Sequence, residues 1–271
     1  AGSRTREPRV LLVEDNPVNR RVAEHQLARL GCEIGWAENG AEAVRRWEAA
    51  HWDLVLMDCQ MPVMDGFAAT REIRSREPAG RRVPIVALTA HALAGDREQC
   101  IAAGMDDYLT KPLEPAALRA AVERWVASVA PRDPPAPAAA VSTAAPVPAA
   151  PAAIVRGAAA TGEPPVDLDA LRTLTDGDAN FERELVAVFV ASGDRALGAI
   201  VAALERQDLD TVRGQAHALK GASANLRATS LAATAARLEA AARAHDAAAC
   251  RSAAAELVTG YREATAFLAG R

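Results

Sequence analysis

Up to about residue 128, short apolar runs alternate five times with longer stretches of helical period. RVLLV (9–13), EIGWA (33–37), DLVLM (53–57), PIVAL (84–88) and DDYLT (106–110) have strand length. The helices that follow them are predicted through Leu30, over 40–50, 65–76 and 92–103, and from Pro115 onward. Gly31 and Gly104 stand where a helix should end, and Pro115 stands at a first turn, where proline is tolerated. Strand–helix alternation with right-handed crossovers predicts an α/β fold, a doubly wound five-stranded parallel sheet. Such sheets carry their sites beyond the carboxyl ends of the strands.

Further on the period is helical throughout, over about 167–174, 179–206, 208–225, 228–243 and 246–268. Asp178 or Asn180, and Asp208, are the expected N-caps. Four long helices with short connections predict an all-α antiparallel four-helix bundle. Between the two patterns, residues 129–165 hold nine of the sixteen prolines and almost no large apolar side chains. That composition cannot bury enough surface to fold and predicts an extended tether with a reach on the order of 110 Å. The expected organisation is therefore a domain over 8–128, a linker over 129–165 and a second domain over 166–270.

Half of the 271 residues are hydrophobic and a quarter charged, as in a soluble globular protein. The net charge of −4 is spread over both halves without a basic stripe, so no direct nucleic-acid contact is expected. Cys32, Cys59, Cys100 and Cys250 are far apart and form no CxxC pair, which fits reduced thiols in the cytoplasm. No signal peptide is visible and no uninterrupted apolar run nears the ~18 residues a membrane helix needs, so no membrane contact is expected of this segment. The opening Ala1-Gly2-Ser3 looks like a cloning remnant, which implies a piece of a longer protein.

Of 31 basic residues, 29 are arginine, and the two lysines are Lys111 and Lys220. A compact charge on a flexible stem suits a small anion that arrives, reacts and leaves, which a rigid guanidinium fork does not. Lys111 follows the fifth strand run. Glu14 and Asp15 follow the first, Asp58 the third and Thr89 the fourth. Three carboxylates on one rim repel and raise one another's pKa unless a cation intervenes. An oxygen-only set favours a hard ion, with Mg²⁺ the natural choice and Mn²⁺ a substitute. Asp58 is then the nucleophile of a phosphoryl transfer, Lys111 and the metal neutralise developing charge, and Thr89 donates a hydrogen bond to the transferred group.

The motifs LVEDNPVN, LVLMDCQMPVMDG, VALTAHA and DDYLTKPL resemble a response-regulator receiver domain, a flavodoxin-like fold, over residues 8–128. The resemblance implies Asp58 as phosphoacceptor, Asp15 as direct metal ligand, Glu14 acting through water and the Gln60 backbone carbonyl as a further ligand. It also implies Thr89 as switch hydroxyl, Lys111 as phosphate contact, Tyr108 as an aromatic switch and a cis Lys111–Pro112 bond. Gln60 and His91 stand where the family's variation tunes phosphoryl lifetime.

In the second domain Leu209, Val212, Ala216 and Leu219 form an apolar stripe, and His217 points about 130° from its centre, toward the exposed side. Arg213 lies one turn before it and Lys220 one turn after; no carboxylate cluster is near in sequence. Gly221 removes a side chain that would shield the imidazole from a bulky partner. His217 therefore reads as half of an active site, with Lys220 placed to reach a phosphoryl group on the ring. His25, His51 and His245 carry no such surroundings. HALKGASANL (217–226) resembles the signature of histidine-containing phosphotransfer domains, and departs from it at Arg227, where many members have glycine.

Together the two resemblances imply a two-component phosphorelay segment, as in the C-terminal part of a hybrid sensor histidine kinase. An upstream histidine kinase domain phosphorylates Asp58, Asp58 passes the group to His217, and His217 passes it to the receiver of a separate response regulator. The tether would hold the two domains at an effective concentration near ~1 mM. No glycine-rich ATP motif is present, so neither ATP hydrolysis nor self-phosphorylation is expected. The expected location is cytoplasmic, with a parent protein anchored in the inner membrane. A rival reading is a regulatory docking module, in which Asp58 phosphorylation controls partner binding and His217 serves other receivers in trans. A phosphohydrolase of the haloacid dehalogenase type fails because Gln60 stands where its acid–base aspartate belongs.

Overall fold

The computed structural model describes residues 6–89, 94–127 and 164–270. The first part runs β1 (Arg9–Val13), α1 (Pro17–Arg29), β2 (Glu33–Ala37), α2 (Gly40–Ala49), β3 (Leu54–Asp58), α3 (Gly66–Arg76), β4 (Ile85–Thr89), α4 (Ala94–Ala103), β5 (Asp107–Thr110) and α5 (Pro115–Ala127). The strands are parallel in the order β2-β1-β3-β4-β5. Alternate residues of each central strand face opposite layers. Leu11, Val13, Val55, Met57 and Ile85 pack on one side, while Val10, Leu12, Leu54, Leu56 and Leu88 pack on the other with Leu27 and Leu118. This explains the unbroken apolar runs, since a sheet covered on both faces has no solvent side. Gly31 and Gly104 do end their helices, with φ of 73° and 99°. The start of the helix predicted over 92–103, His91 and nearly all of the predicted tether lie outside the described residues.

The second part is helical throughout: α6 (Leu168–Leu174), α7 (Ala179–Glu205), α8 (Leu209–Asn225), α9 (Thr229–Arg243) and α10 (Ala247–Ala269). Asp178 rather than Asn180 caps α7, accepting from the N–H groups of Asn180 and Phe181, and Asp208 caps α8. By length and mean hydropathy α7 alone among the described residues would cross a membrane. Here Asp194 and Arg195 interrupt it, and Leu185, Phe189, Leu197 and Ile200 bury its apolar face in the bundle core. Arg227 takes a left-handed backbone, φ 57°, in the α8–α9 turn. The turn thus keeps a conformation that glycine adopts freely, at a cost of about 1 kcal/mol for an L side chain.

The two parts are docked. Val18 and Val22 of α1 belong to the bundle's apolar core and are fully covered by it. At ~25 cal/mol per Å², burying two valines gives this contact an apolar centre of a few kcal/mol.

Candidate functional site

The carboxyl ends of β1, β3, β4 and β5 converge on one rim. β3 and β4 run one residue further than their apolar patterns predict, so Asp58 and Thr89 are the last strand residues. The Lys111 N–H donates to the Thr89 carbonyl at 2.7 Å, and the Lys111–Pro112 bond is cis. Lys111 Nζ then lies 2.6 Å from Glu14 Oε2 and 2.7 Å from Asp58 Oδ2. The Gln60 N–H donates to Asp58 Oδ1 at 3.2 Å, while the Gln60 side chain is exposed. Gly66 is required beneath this turn, because a Cβ there would lie 2.1 Å from the Asp58 carbonyl oxygen.

Glu14, Asp15 and Asp58 each present an oxygen within 4.8 Å of the others. Burial and the Glu14 charge push Asp15 up to about 6, against the pull of Lys111. Burial also lifts Asp58 above the ordinary carboxylate value; Lys111 opposes this and Glu14 and Asp15 add to it. Burial disfavours the Lys111 charge, but Asp58 and Glu14 outweigh it and hold the ammonium protonated more firmly than in a free lysine. One ammonium among three carboxylates leaves net negative charge in a largely dry pocket. The oxygen-only donor set fits a hard divalent cation.

Across from this rim stands α8. The apolar stripe places His217 on the exposed side of the helix, yet only 22% of its side chain is accessible. The sequence shows no carboxylate cluster near it. The fold supplies a carboxylate from α9: Glu239, which is 22 residues on, meets His217 Nδ1 at 3.0 Å and Lys220 Nζ at 2.6 Å. Arg243 adds a third contact at 3.2 Å. Although burial raises the Glu239 pKa, the bonds to His217 and Lys220 outweigh it and bring the value down to about 2. An ionised carboxylate only accepts, so Nδ1 is the nitrogen that donates to Glu239, and Nε2 is the one outside that bond.

Glu14, Asp15, Asp58, Lys111, His217 and Lys220 all line one cavity of about 150 Å³ between the domains. Gln60, Thr89 and Tyr108 do not line it. Thr89 ends β4 in the interior, and Tyr108 is half-buried on β5, opposite Ala87. Three asparagines missed by the sequence reading, although two stand in DNPVN and one in GASAN, close the cavity's edge. Asn16 Nδ2 donates to the Ala218 carbonyl at 2.7 Å, and Asn225 Nδ2 to Asn19 Oδ1 at 2.8 Å. A Cβ on Gly221 would approach Asn19 Nδ2 to 3.0 Å, so the missing side chain admits the receiver's own α1. Farther out, His25 stacks on Phe181 with ring centroids 3.8 Å apart, Arg21 pairs with Glu184 at 2.5 Å, and Arg29 pairs with Asp176.

Residues 10–123 match the response regulator receiver domain family, and residues 184–266 match the Hpt domain family. The sensor protein GacS of Pseudomonas syringae pv. syringae is 36% identical over 221 residues, which cover 81% of this chain and 23% of GacS. The chain spans a quarter or less of this and other hybrid kinases it matches. Among solved structures, a receiver domain of a Pseudomonas aeruginosa sensor histidine kinase, with a magnesium ion in its active-site cleft, is 52% identical. That match covers 45% of this chain and 99% of the other, with a TM-score of 0.42. The co-crystal of the Saccharomyces cerevisiae phosphotransfer protein Ypd1 with the receiver domain of Ssk1 is 34% identical over 47% of this chain and 94% of the matched chain, with a TM-score of 0.44. The chain is a receiver domain followed by an Hpt domain, homologous to the C-terminal part of hybrid sensor kinases such as GacS, a pairing that implies a two-component phosphorelay.

Proposed function

We propose that Asp58 accepts a phosphoryl group and passes it reversibly to His217 of the same chain, which then delivers it to the receiver of a separate response regulator. The observation that carries this reading is the shared cavity, lined by both acceptors and by the chain's two lysines. Asp58 attacks the phosphorus of the donor's phosphohistidine with a carboxylate oxygen, the P–N bond breaks with its electron pair returning to the donor imidazole, and an acyl phosphate forms. His217 Nε2 then attacks in line, the bond between phosphorus and the Asp58 oxygen breaks, and the electron pair returns to the carboxylate. The proton stays on Nδ1, where Glu239 balances the imidazolium charge. Lys111 and Lys220 flank the group from either side as it moves. Acyl phosphate and phosphoramidate are both high-energy, so the step runs in either direction.

Glu14, Asp15 and Asp58, with the Gln60 backbone carbonyl, would hold Mg²⁺ or Mn²⁺, which neutralises charge on the phosphoryl oxygens when bound. The magnesium in the cleft of the 52% identical receiver supports that assignment. Thr89 acts as the switch hydroxyl and Tyr108 as the ring that turns inward. The upstream donor is a histidine kinase domain of the parent hybrid kinase, whose membrane anchor would leave this segment in the cytoplasm. The Ypd1–Ssk1 pair supports a receiver as the downstream partner.

The test is labelling with acetyl phosphate and Mg²⁺ of the intact chain, Asp58→Asn and His217→Gln. Base-stable, acid-labile phosphohistidine that disappears in Asp58→Asn establishes transfer between the domains, and dilution separates intrachain from interchain passage. Aspartyl phosphate with His217 unlabelled overturns the reading in favour of a regulatory docking module.

A further inference from the structure

We infer that Asn19 and Asn225 form a positioning couple through which docking of the Hpt domain tightens cation binding in the receiver's acid pocket. Both amides are buried, 8% and 5% exposed, and they are 206 residues apart. Their orientation follows from chemistry. The Lys111 ammonium takes the other Glu14 oxygen, and Asn19 turns its NH₂ to donate to Glu14 Oε1, 3.0 Å away. Asn19 Oδ1 then faces α8 and needs a donor, and Asn225 supplies its own NH₂ at 2.8 Å. The chain of bonds is directional, from the Hpt helix inward to a carboxylate of the pocket.

Glu14 Oε1 also accepts the Asn16 N–H at 3.3 Å. With Oε1 anchored by α1, Oε2 is the oxygen left facing Lys111 and the Asp58 carboxylate. A Cβ on Gly221 would come within 3.0 Å of Asn19 Nδ2, so the glycine leaves the amide the space it occupies between Glu14 and Asn225. When α8 departs, Asn19 loses its donor Asn225, and Glu14 loses a fixed orientation. Groups that orient a metal-binding carboxylate change affinity by about 10–100-fold. By reciprocity, a bound cation tightens docking by the same factor. A receiver carrying its cation, the form competent for phosphorylation, would thus be the form that holds the Hpt domain.

The inference rests on the proposed reading of the pocket as a divalent-cation site. Calorimetric titration of the full chain with MgCl₂ tests it, using Asn225→Ala, the near-isosteric Asn225→Leu, Asn19→Ala and Asn19→Ala/Asn225→Ala, each checked for helicity by circular dichroism. About tenfold weaker binding in either Asn225 variant, and no further loss when Asn225→Ala is added to Asn19→Ala, is the expected result. On the unmodified chain, MgCl₂ should raise hydrogen-exchange protection of Val18 and Val22 by the same factor. Affinity within twofold of wild type in the Asn225 variants, or additive losses in the double variant, overturns the couple while leaving the cation site standing. A wild-type chain that takes up no Mg²⁺, and is indistinguishable from Asp15→Asn, overturns both.

Discussion

The two walls of the cavity have opposite electrostatic designs. On the receiver side three carboxylates share one ammonium, and burial drives the Asp15 and Asp58 pKa values up. On the Hpt side one carboxylate takes contacts from His217, Lys220 and Arg243, and its pKa falls to about 2. The first wall is short of positive charge and calls for a cation. The second has positive charge to spare and suits a phosphoryl group arriving with negative charge. The docked pair brings the two opposite designs to one cavity. The contrast also separates the two lysines: Lys111 is locked between carboxylates, whereas Lys220 is tied to a single partner.

The sharpest way to break this contrast is Lys111→Met. Without its ammonium, labelling of Asp58 by acetyl phosphate should fall by about 10²–10³-fold, while Mg²⁺ binding measured by calorimetry is retained or tightened. An unchanged labelling rate would reduce Lys111 to a structural counter-ion. Next in size is Glu239→Ala, which frees the imidazole to rotate and change tautomer. Rapid-quench transfer from Asp58 to His217 should slow by about 10²-fold, with Asp58 labelling itself unaffected. The pH dependence has a definite sign. Glu239 is depressed, so its contribution to bundle stability is present above its ordinary value of 4.5 and is lost as pH falls toward about 2. Acid unfolding of Glu239→Gln followed by circular dichroism should therefore show a smaller loss across that window.

Gly221→Ala divides the two roles of α8. Relief of a mid-helix glycine should stabilise the bundle by up to ~1 kcal/mol, raising Tm by a few degrees. The new Cβ meets Asn19, so transfer should drop several-fold at the same time. A parallel rise in both would mean that docking tolerates the methyl group. The smallest effect belongs to His25. Burial and the neighbouring Arg29 and Arg21 lower its pKa, against Asp176 and Asp178. Docking is therefore favoured with the ring neutral, and should weaken as pH falls below the ordinary value of 6.5. A twofold to threefold loss of hydrogen-exchange protection on α1 at pH 5.5, absent in His25→Gln, is the expected signature.

Most of each domain's local structure was legible in the residues. Strand runs, glycine stops and aspartate caps are short-range effects, and all the helices of the bundle begin and end within about two residues of their pattern. The one-residue extension of β3 and β4 was not visible, because Asp58 and Thr89 end their apolar runs chemically while the ladder still pairs them with β4 and β5. Asp58, Lys111, His217 and Lys220 were also readable. Strand ends collect on one rim, and a histidine off the apolar stripe, one turn from lysine and glycine, carries its own signal.

Glu239, Asn16, Asn19 and Asn225 were not. Glu239 sits in an alanine-rich helix with nothing local to mark it, and it matters only because the α8–α9 hairpin brings it to His217. On the polar side of α8, His217 is only 22% accessible, since helical period reports which face is polar and not what packs against it. Periodicity, capping and composition act within a few residues and can be read one element at a time. The orientation of an imidazole and the direction of an amide chain depend on partners 22 and 206 residues away, and only the packed chain brings those together.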